Sequence, residues 1–272
     1  KGILGYENLK AGIDMDDRTV KRDVTRMFSD GTVKMIEDDM IAEKRMILEV
    51  DGKKEAVVIF TPGEEELWAI GNLFCRRMIE TLSDINLLKI DEGRIVVERS
   101  KKREGWKLES RFLHTASGAF LEEQKEEKSP PFIPVEWKIS FGSVMSAIEW
   151  IAEAPIFRQA GSVHVAALIS PEGKRLFRTE DVGRHNAVDK AVGWLLKNNI
   201  KTSDAALITS GRLPEDMVLK GAGAGIPLMA SVSAATADGA DAARRCNMTL
   251  IGFARNGRFN VYSVPERIQQ NK

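Results

Sequence analysis

Cysteine is nearly missing: the 272 residues hold two, Cys75 and Cys246, in unrelated contexts. That excludes a disulfide scaffold and a cysteine-based zinc cluster, and it suits a reducing, cytoplasmic setting. Histidine is almost as scarce. His114, His164 and His185 stand apart, so no pair offers metal-ligand spacing and no zinc is expected. An excess of either charge is absent as well, since Lys+Arg and Asp+Glu both number 40. With no net field, nothing marks the chain as a nucleic-acid binder. No apolar run approaches the length of a membrane span, and the opening KGILGYENLKAGIDMDD lacks the apolar core of a signal peptide. A chain of this length forms one large domain or two modest ones, with ample material for a core.

What is present centres on residues 178–212, RTEDVGRHNAVDKAVGWLLKNNIKTSDAALITSGR. A charged loop, Glu180 to Asn186, runs into a helix whose apolar face is Val188, Ala191, Val192 and Leu195, at i, i+3, i+4 and i+7. Asn186 is read as the N-cap, with Asp189 three residues on favouring the positive end of the helix dipole. Arg184 and His185 therefore stand at a helix N-terminus, where free N–H groups attract anions. The strand Ala205–Thr209 follows and ends in a second polar corner, Ser210, Gly211 and Arg212. Two Arg-bearing corners fit a phosphate-rich ligand. The alternative is a salt-bridged loop whose glycines merely serve turns.

Residues 1–35 are expected to be a lead-in, with 19–41 open between a helix face and alternating strand positions. MILEV, Asp51-Gly52 and KKEAVVIF form a hairpin with a type I′ turn signal. Thr61-Pro62-Gly63-Glu64 supplies an N-cap, a Pro at N1 and the Glu of a capping box for a helix through Leu67, Ile70, Leu73 and Met78. A second hairpin joins 86–90 to 94–99 across a DEG turn. These make a small N-terminal α+β lobe, 36–121. A charged, Pro-ending linker, 122–136, separates it from the second lobe, 137–267, and residues 114–130 should be mobile. In that lobe strand and helix alternate, so the fold class is α/β with a three-layer α/β/α arrangement. The corners 181–186, 209–212 and 232–236 all follow strands, where ligands of open α/β sheets bind.

Taken together, FTPGEEELWAIGNLF, AGSVHVAAL, EDVGRHNAVDK, SGR, GAGIPLMASVSA and TLIGFARNGRFNVYS resemble the formate dehydrogenase accessory protein family, the FdhD-type sulfur carriers. The resemblance runs in colinear order from about residue 40 to 267. It implies a second lobe similar to the cytidine deaminase fold and a cytoplasmic homodimer. It also implies a role in maturing formate dehydrogenase, by passing sulfur from a cysteine desulfurase to the molybdenum bis(molybdopterin guanine dinucleotide) cofactor. Phe259, Asn260, Val261, Tyr262, Ser263 and Val264 fall on the segment the family associates with holding that cofactor. Its phosphates suit Arg184, His185 and Arg212 at the strand-end corners, and Asp181, Asn186, Ser210 and Gly211 complete the expected cofactor-binding set.

The family's Cys-Gly-x-Cys relay loop reads Ser117-Gly118-Ala119-Phe120 here. Ser117 stands where the resemblance places the persulfide cysteine, and a hydroxyl cannot replace a polarizable thiolate in thiol exchange. Cys75, mid-helix, and Cys246, at a helix end, read as packing residues. A working deaminase would need H-x-E and P-C-x-x-C, and His164-Val165-Ala166 supplies neither. Ser117 with His114 lacks the G-x-S-x-G elbow of a hydrolase. Two readings survive: a sulfurtransferase with an atypical relay, and a cofactor-binding chaperone without the transfer step.

Overall fold

A computed structural model describes residues 17–103, 131–134 and 136–270. Ser117, the relay loop and the segment 114–130 lie outside the described residues. The stretch left open between helix and strand is an antiparallel hairpin, β1 (Thr19–Met27) with β2 (Val33–Ile41). Next come β3 (Lys44–Val50), β4 (Lys53–Phe60), α1 (Glu65–Cys75), β5 (Ile85–Asp91) and β6 (Arg94–Arg99). The four strands form one sheet in the order β4-β3-β6-β5. Asp51 and Gly52 take φ of 51° and 76°, the left-handed pair that a two-residue hairpin turn needs. One face, with Met46, Leu48, Phe60, Ile95 and Val97, packs on Trp68, Ala69 and Leu73 of α1.

The second half contains β7 (Ile139–Ser140), α2 (Phe141–Ala152), α3 (Pro155–Gln159), β8 (His164–Ile169), β9 (Arg175–Asp181) and α4 (Arg184–Lys197). It continues with β10 (Ala206–Thr209), α5 (Glu215–Gly223), β11 (Leu228–Ser231), α6 (Ala237–Arg245), β12 (Thr249–Arg255), β13 (Arg258–Ser263) and β14 (Ile268–Gln269). Six strands make one sheet, β13-β12-β11-β10-β8-β9, with β10, β11 and β12 mutually parallel. Alternate residues point to opposite faces. Ala166, Leu168, Leu207, Met229 and Leu250 pack with helices α4, α5 and α6, while Val165, Ala167, Ile208, Ala230 and Ile251 pack with α2. The molecule is thus mixed α/β, and this sheet carries helices on both faces.

Helix α4 is the structural centre, buried from Ala187 to Leu195. The large sheet covers one side and α1 the other. A Cβ on Gly71 would lie 1.8 Å from the Asp189 carbonyl oxygen, and one on Gly193 would lie 1.9 Å from that of Leu67. The helices therefore cross backbone to backbone, and the first lobe is docked on the second.

Two expected helix starts are corrected. α1 begins at Glu65 with Glu64 as its left-handed N-cap (φ 63°), not at Pro62 with Thr61 as cap. Thr61 faces the other lobe instead: its hydroxyl accepts from Val182 N, and its own N–H donates to Asp181. α4 starts earlier than expected, at Arg184, with Gly183 as N-cap rather than Asn186. Asn186 sits inside the first turn because its amide spans the lobes. In both places tertiary hydrogen bonds outcompete the local capping pattern.

Candidate functional site

Strands β9, β10 and β11 end on the same edge of the sheet, and β8 begins there, since His164 pairs with Asp181 and Ala166 with Thr209. Asp181 ends β9 fully buried. Its Oδ1 accepts from Gly183 N (2.8 Å) and Asn186 Nδ2 (3.0 Å), and its Oδ2 from Thr61 N (3.2 Å) and Lys190 Nζ (2.7 Å). Lys190, 0 % exposed, also donates to the Thr61 carbonyl. Asn186 accepts from Trp68 Nε1 and donates to the Ile59 carbonyl. Asp181 and Asn186, expected to touch a ligand, are thus engaged inside the protein and shape the loop that presents Arg184 and His185. Asp189, expected to serve the helix dipole, forms a buried ion pair with Lys220 at 2.6 Å and accepts from Asn72.

Arg184 and His185 open α4 at the rim, both partly exposed. The 210–212 corner lies against them: a Cβ on Gly211 would sit 3.2 Å from Arg184 Cβ and 3.6 Å from His164 Nδ1, so this position favours glycine. Ser210 Oγ accepts from Val165 N, which ties the corner to β8. Arg212 is exposed beside it. Asp216, in the first turn of α5, stands 3.0 Å from His185 Nε2 and 3.9 Å from Arg184 Nη2. His185 Nε2 and Asp216 Oδ2 are buried, yet the approach is not that of a formed hydrogen bond. Burial alone would raise the Asp216 carboxyl; His185, the Met217 N–H and Arg184 outweigh it and hold the pKa below 3.8. His164 is held below the ordinary 6.5 by burial first, then by the positive charge of Arg184 and His185. Neither His164 nor Asp216 stood out in the sequence. An isolated strand-start histidine and an acid in a first turn gain meaning only once β8 and α5 meet the corner.

The rim continues past β10. Ser231 Oγ donates to the Gly211 carbonyl at 2.6 Å, and Leu213 N donates to Ala234 O. The Tyr262 ring reaches the 232–236 corner, since a Cβ on Gly252 would meet both Ser233 O and Tyr262 Cε2 at 3.0 Å. The rest of the expected 259–264 segment does not gather there. Phe259 stacks on Phe141 at 4.6 Å, and Val261 packs on the α2 side. Asn260 is exposed. Ser263 is buried, donating to Met248 O and accepting from Leu250 N. Val264, left-handed at φ 46°, accepts from Thr249 Oγ1 at the opposite end of β12. Within one chain β13 is the far edge strand, five positions from β9.

Chemically the rim gathers two guanidiniums, two imidazoles and the N–H groups of the first turn of α4, offset in part by the Asp216 carboxylate, a setting that attracts phosphate oxygens. It contains no thiol. Cys75 and Cys246 are both 0 % exposed. Burial and then the Asp189 charge raise the Cys75 thiol well above its usual value, and burial pushes Cys246 up to about 11. Among the described residues no three His, Cys, Asp or Glu side chains gather as metal ligands. Nor is any helix among them long and apolar enough to cross a membrane.

Residues 41–269 match the model of the FdhD/NarQ family. The Sulfur carrier protein FdhD of Sulfurisphaera tokodaii is 33% identical over 244 residues, covering 86% of this chain and 93% of that protein. The Sulfur carrier protein FdhD of Bacillus subtilis is 32% identical over 264 residues, covering 94% and 100%. A crystal structure from Desulfotalea psychrophila, described as a "putative formate dehydrogenase accessory protein", superposes with a TM-score of 0.78 at 27% identity. It covers 93% of this chain and all of that one.

Proposed function

This chain belongs to the FdhD/NarQ family, and from that premise we propose that it is a cytoplasmic accessory protein of formate dehydrogenase maturation. Its task on this reading is to bind the molybdenum bis(molybdopterin guanine dinucleotide) cofactor as cargo, without relaying sulfur through a thiol of its own. One observation carries the choice: the two cysteines of the sequence are both fully buried with raised pKa. Persulfide transfer needs an accessible thiolate, and Ser117 stands where the resemblance would put one. The cationic corner supports the binding half of the reading, with Arg184 and Arg212 set to contact guanine-nucleotide phosphates. The resemblance to the cytidine deaminase fold and the homodimer belong to the same reading. The formate dehydrogenase is the client.

The second reading, sulfur carriage from a cysteine desulfurase, is favoured by the name that relatives of nearly equal length share. Two measurements separate the readings. Incubation with a cysteine desulfurase and labelled cysteine should leave the chain unlabelled, whereas Ser117→Cys should acquire labelled persulfide. Label on the unmodified chain that disappears in Cys75→Ala or Cys246→Ala would replace the first reading by the second. Calorimetry should show GDP binding that weakens at least about tenfold in Arg212→Ala, a charge-assisted contact being worth ~1.5–3 kcal/mol. Equal affinity in the variant would remove Arg212 from the site.

A further inference from the structure

His164 begins β8 directly opposite Asp181, and its ring faces the corner, with Nδ1 3.6 Å from the point that a Cβ on Gly211 would occupy. Unlike His185, which has Asp216 beside it, His164 has no carboxylate within ion-pair distance among the described residues. The charged groups around it come from three elements. Arg184 and His185 on α4 and Arg212 in the 210–212 corner oppose a positive imidazole, and Asp181 at the end of β9 favours it. Asp181, however, is shared among four donors. The corner therefore holds one histidine that is half-buried, uncommitted and surrounded mainly by positive charge.

We propose that His164 is a further binding residue of this corner and takes up a proton from solvent when a phosphate group arrives there. The inference rests on the reading that the corner receives nucleotide phosphates. A bound anion offsets the repulsion from Arg184 and Arg212, and an imidazolium has two N–H donors where the neutral ring has one. Each effect favours the protonated ring only in the complex, so affinity rises as pH falls through the neutral range. Burial and the positive charge of Arg184 and His185 already lower the pKa of the free ring, which favours its neutral form.

The probe is GDP-mannose, whose pyrophosphate diester does not itself titrate near neutrality. The sequence has three histidines, so each imidazole Cε1–H signal in proton NMR is assignable from His114→Gln, His164→Asn and His185→Asn. The His164 signal should titrate below 6.5 in the free protein and move up by at least about half a unit at saturation. Affinity should be higher at pH 6 than at pH 8, by about twofold for a half-unit shift and by more for a larger one, a gain expected from protonation linkage and lost in His164→Asn. Binding with an unmoved His164 signal, or with a pH gain that persists in His164→Asn, overturns the inference and leaves the nucleotide reading standing. Absence of GDP-mannose and GDP binding at both pH values overturns both.

Discussion

The charged motif between Asp181 and Lys190 serves two regions that follow opposite rules. In the seam between α1 and α4, Asp181, Asp189 and Lys190 are buried, Asn186 bridges the lobes, and each carboxylate is shared by several donors. At the rim, Arg184 and His185 are partly exposed and Arg212 is exposed. Charge that is paired in a low-dielectric interior fixes geometry, whereas charge at a surface edge stays in contact with solvent. Polar and charged residues a few positions apart thus differ in what encloses them.

The largest expected effect lies in the seam. Lys190→Met leaves Asp181 buried without its cation and should destabilise the fold by ~3–5 kcal/mol, measured by urea unfolding. A loss below ~1 kcal/mol would mean that the seam is not the rigid half of the comparison. Gly193→Ala forces α1 away from α4 and should cost ~1–3 kcal/mol, as overpacking does. The same change at Gly257, where a Cβ meets nothing but φ is +72°, is a control for backbone strain alone. At the rim, Arg212→Ala should change stability by less than ~0.5 kcal/mol while weakening GDP binding. A large stability loss there would erase the contrast.

The smallest effect is a pH dependence. The Asp216 pKa is depressed in the folded state. Its stabilising contribution is therefore complete above the unfolded-state value near 3.8 and is lost as pH falls below it toward the folded-state value. Asp216→Asn should flatten the stability curve in that acid window and leave it unchanged in slope near neutrality. An unchanged acid slope would show that Asp216 gains nothing from His185 and Arg184.

Much of the fold was legible where short-range chemistry acts alone. Asp51-Gly52 adopts the left-handed pair its hairpin requires. Strand and helix alternate in the second half as expected, and β10, β11 and β12 fall in one sheet. The candidate corner was legible as residue types, since the strand-end rim does bring Arg184, His185, Gly211 and Arg212 together. It was not legible as roles. Asp181 and Asn186 looked like ligand contacts because nothing near them in sequence shows that Thr61 and Trp68, more than a hundred positions away, would occupy them. Thr61 and Asn186 also carried good capping signals, which long-range partners overrode.

The sequence by itself determined the alternation of strand and helix, the turns, the scarcity of thiols and the cationic residues that flank two strands. Those properties depend on hydrophobic period, backbone freedom and composition, which are local or countable. Tertiary structure alone decided which charges would be consumed and which left over. It packed α1 onto α4 through two glycines, drew Asp181 and Lys190 into the interior, and set His164 and Asp216 beside the corner. Burial and pairing are properties of the enclosure around a side chain, and that enclosure exists only once distant segments have met.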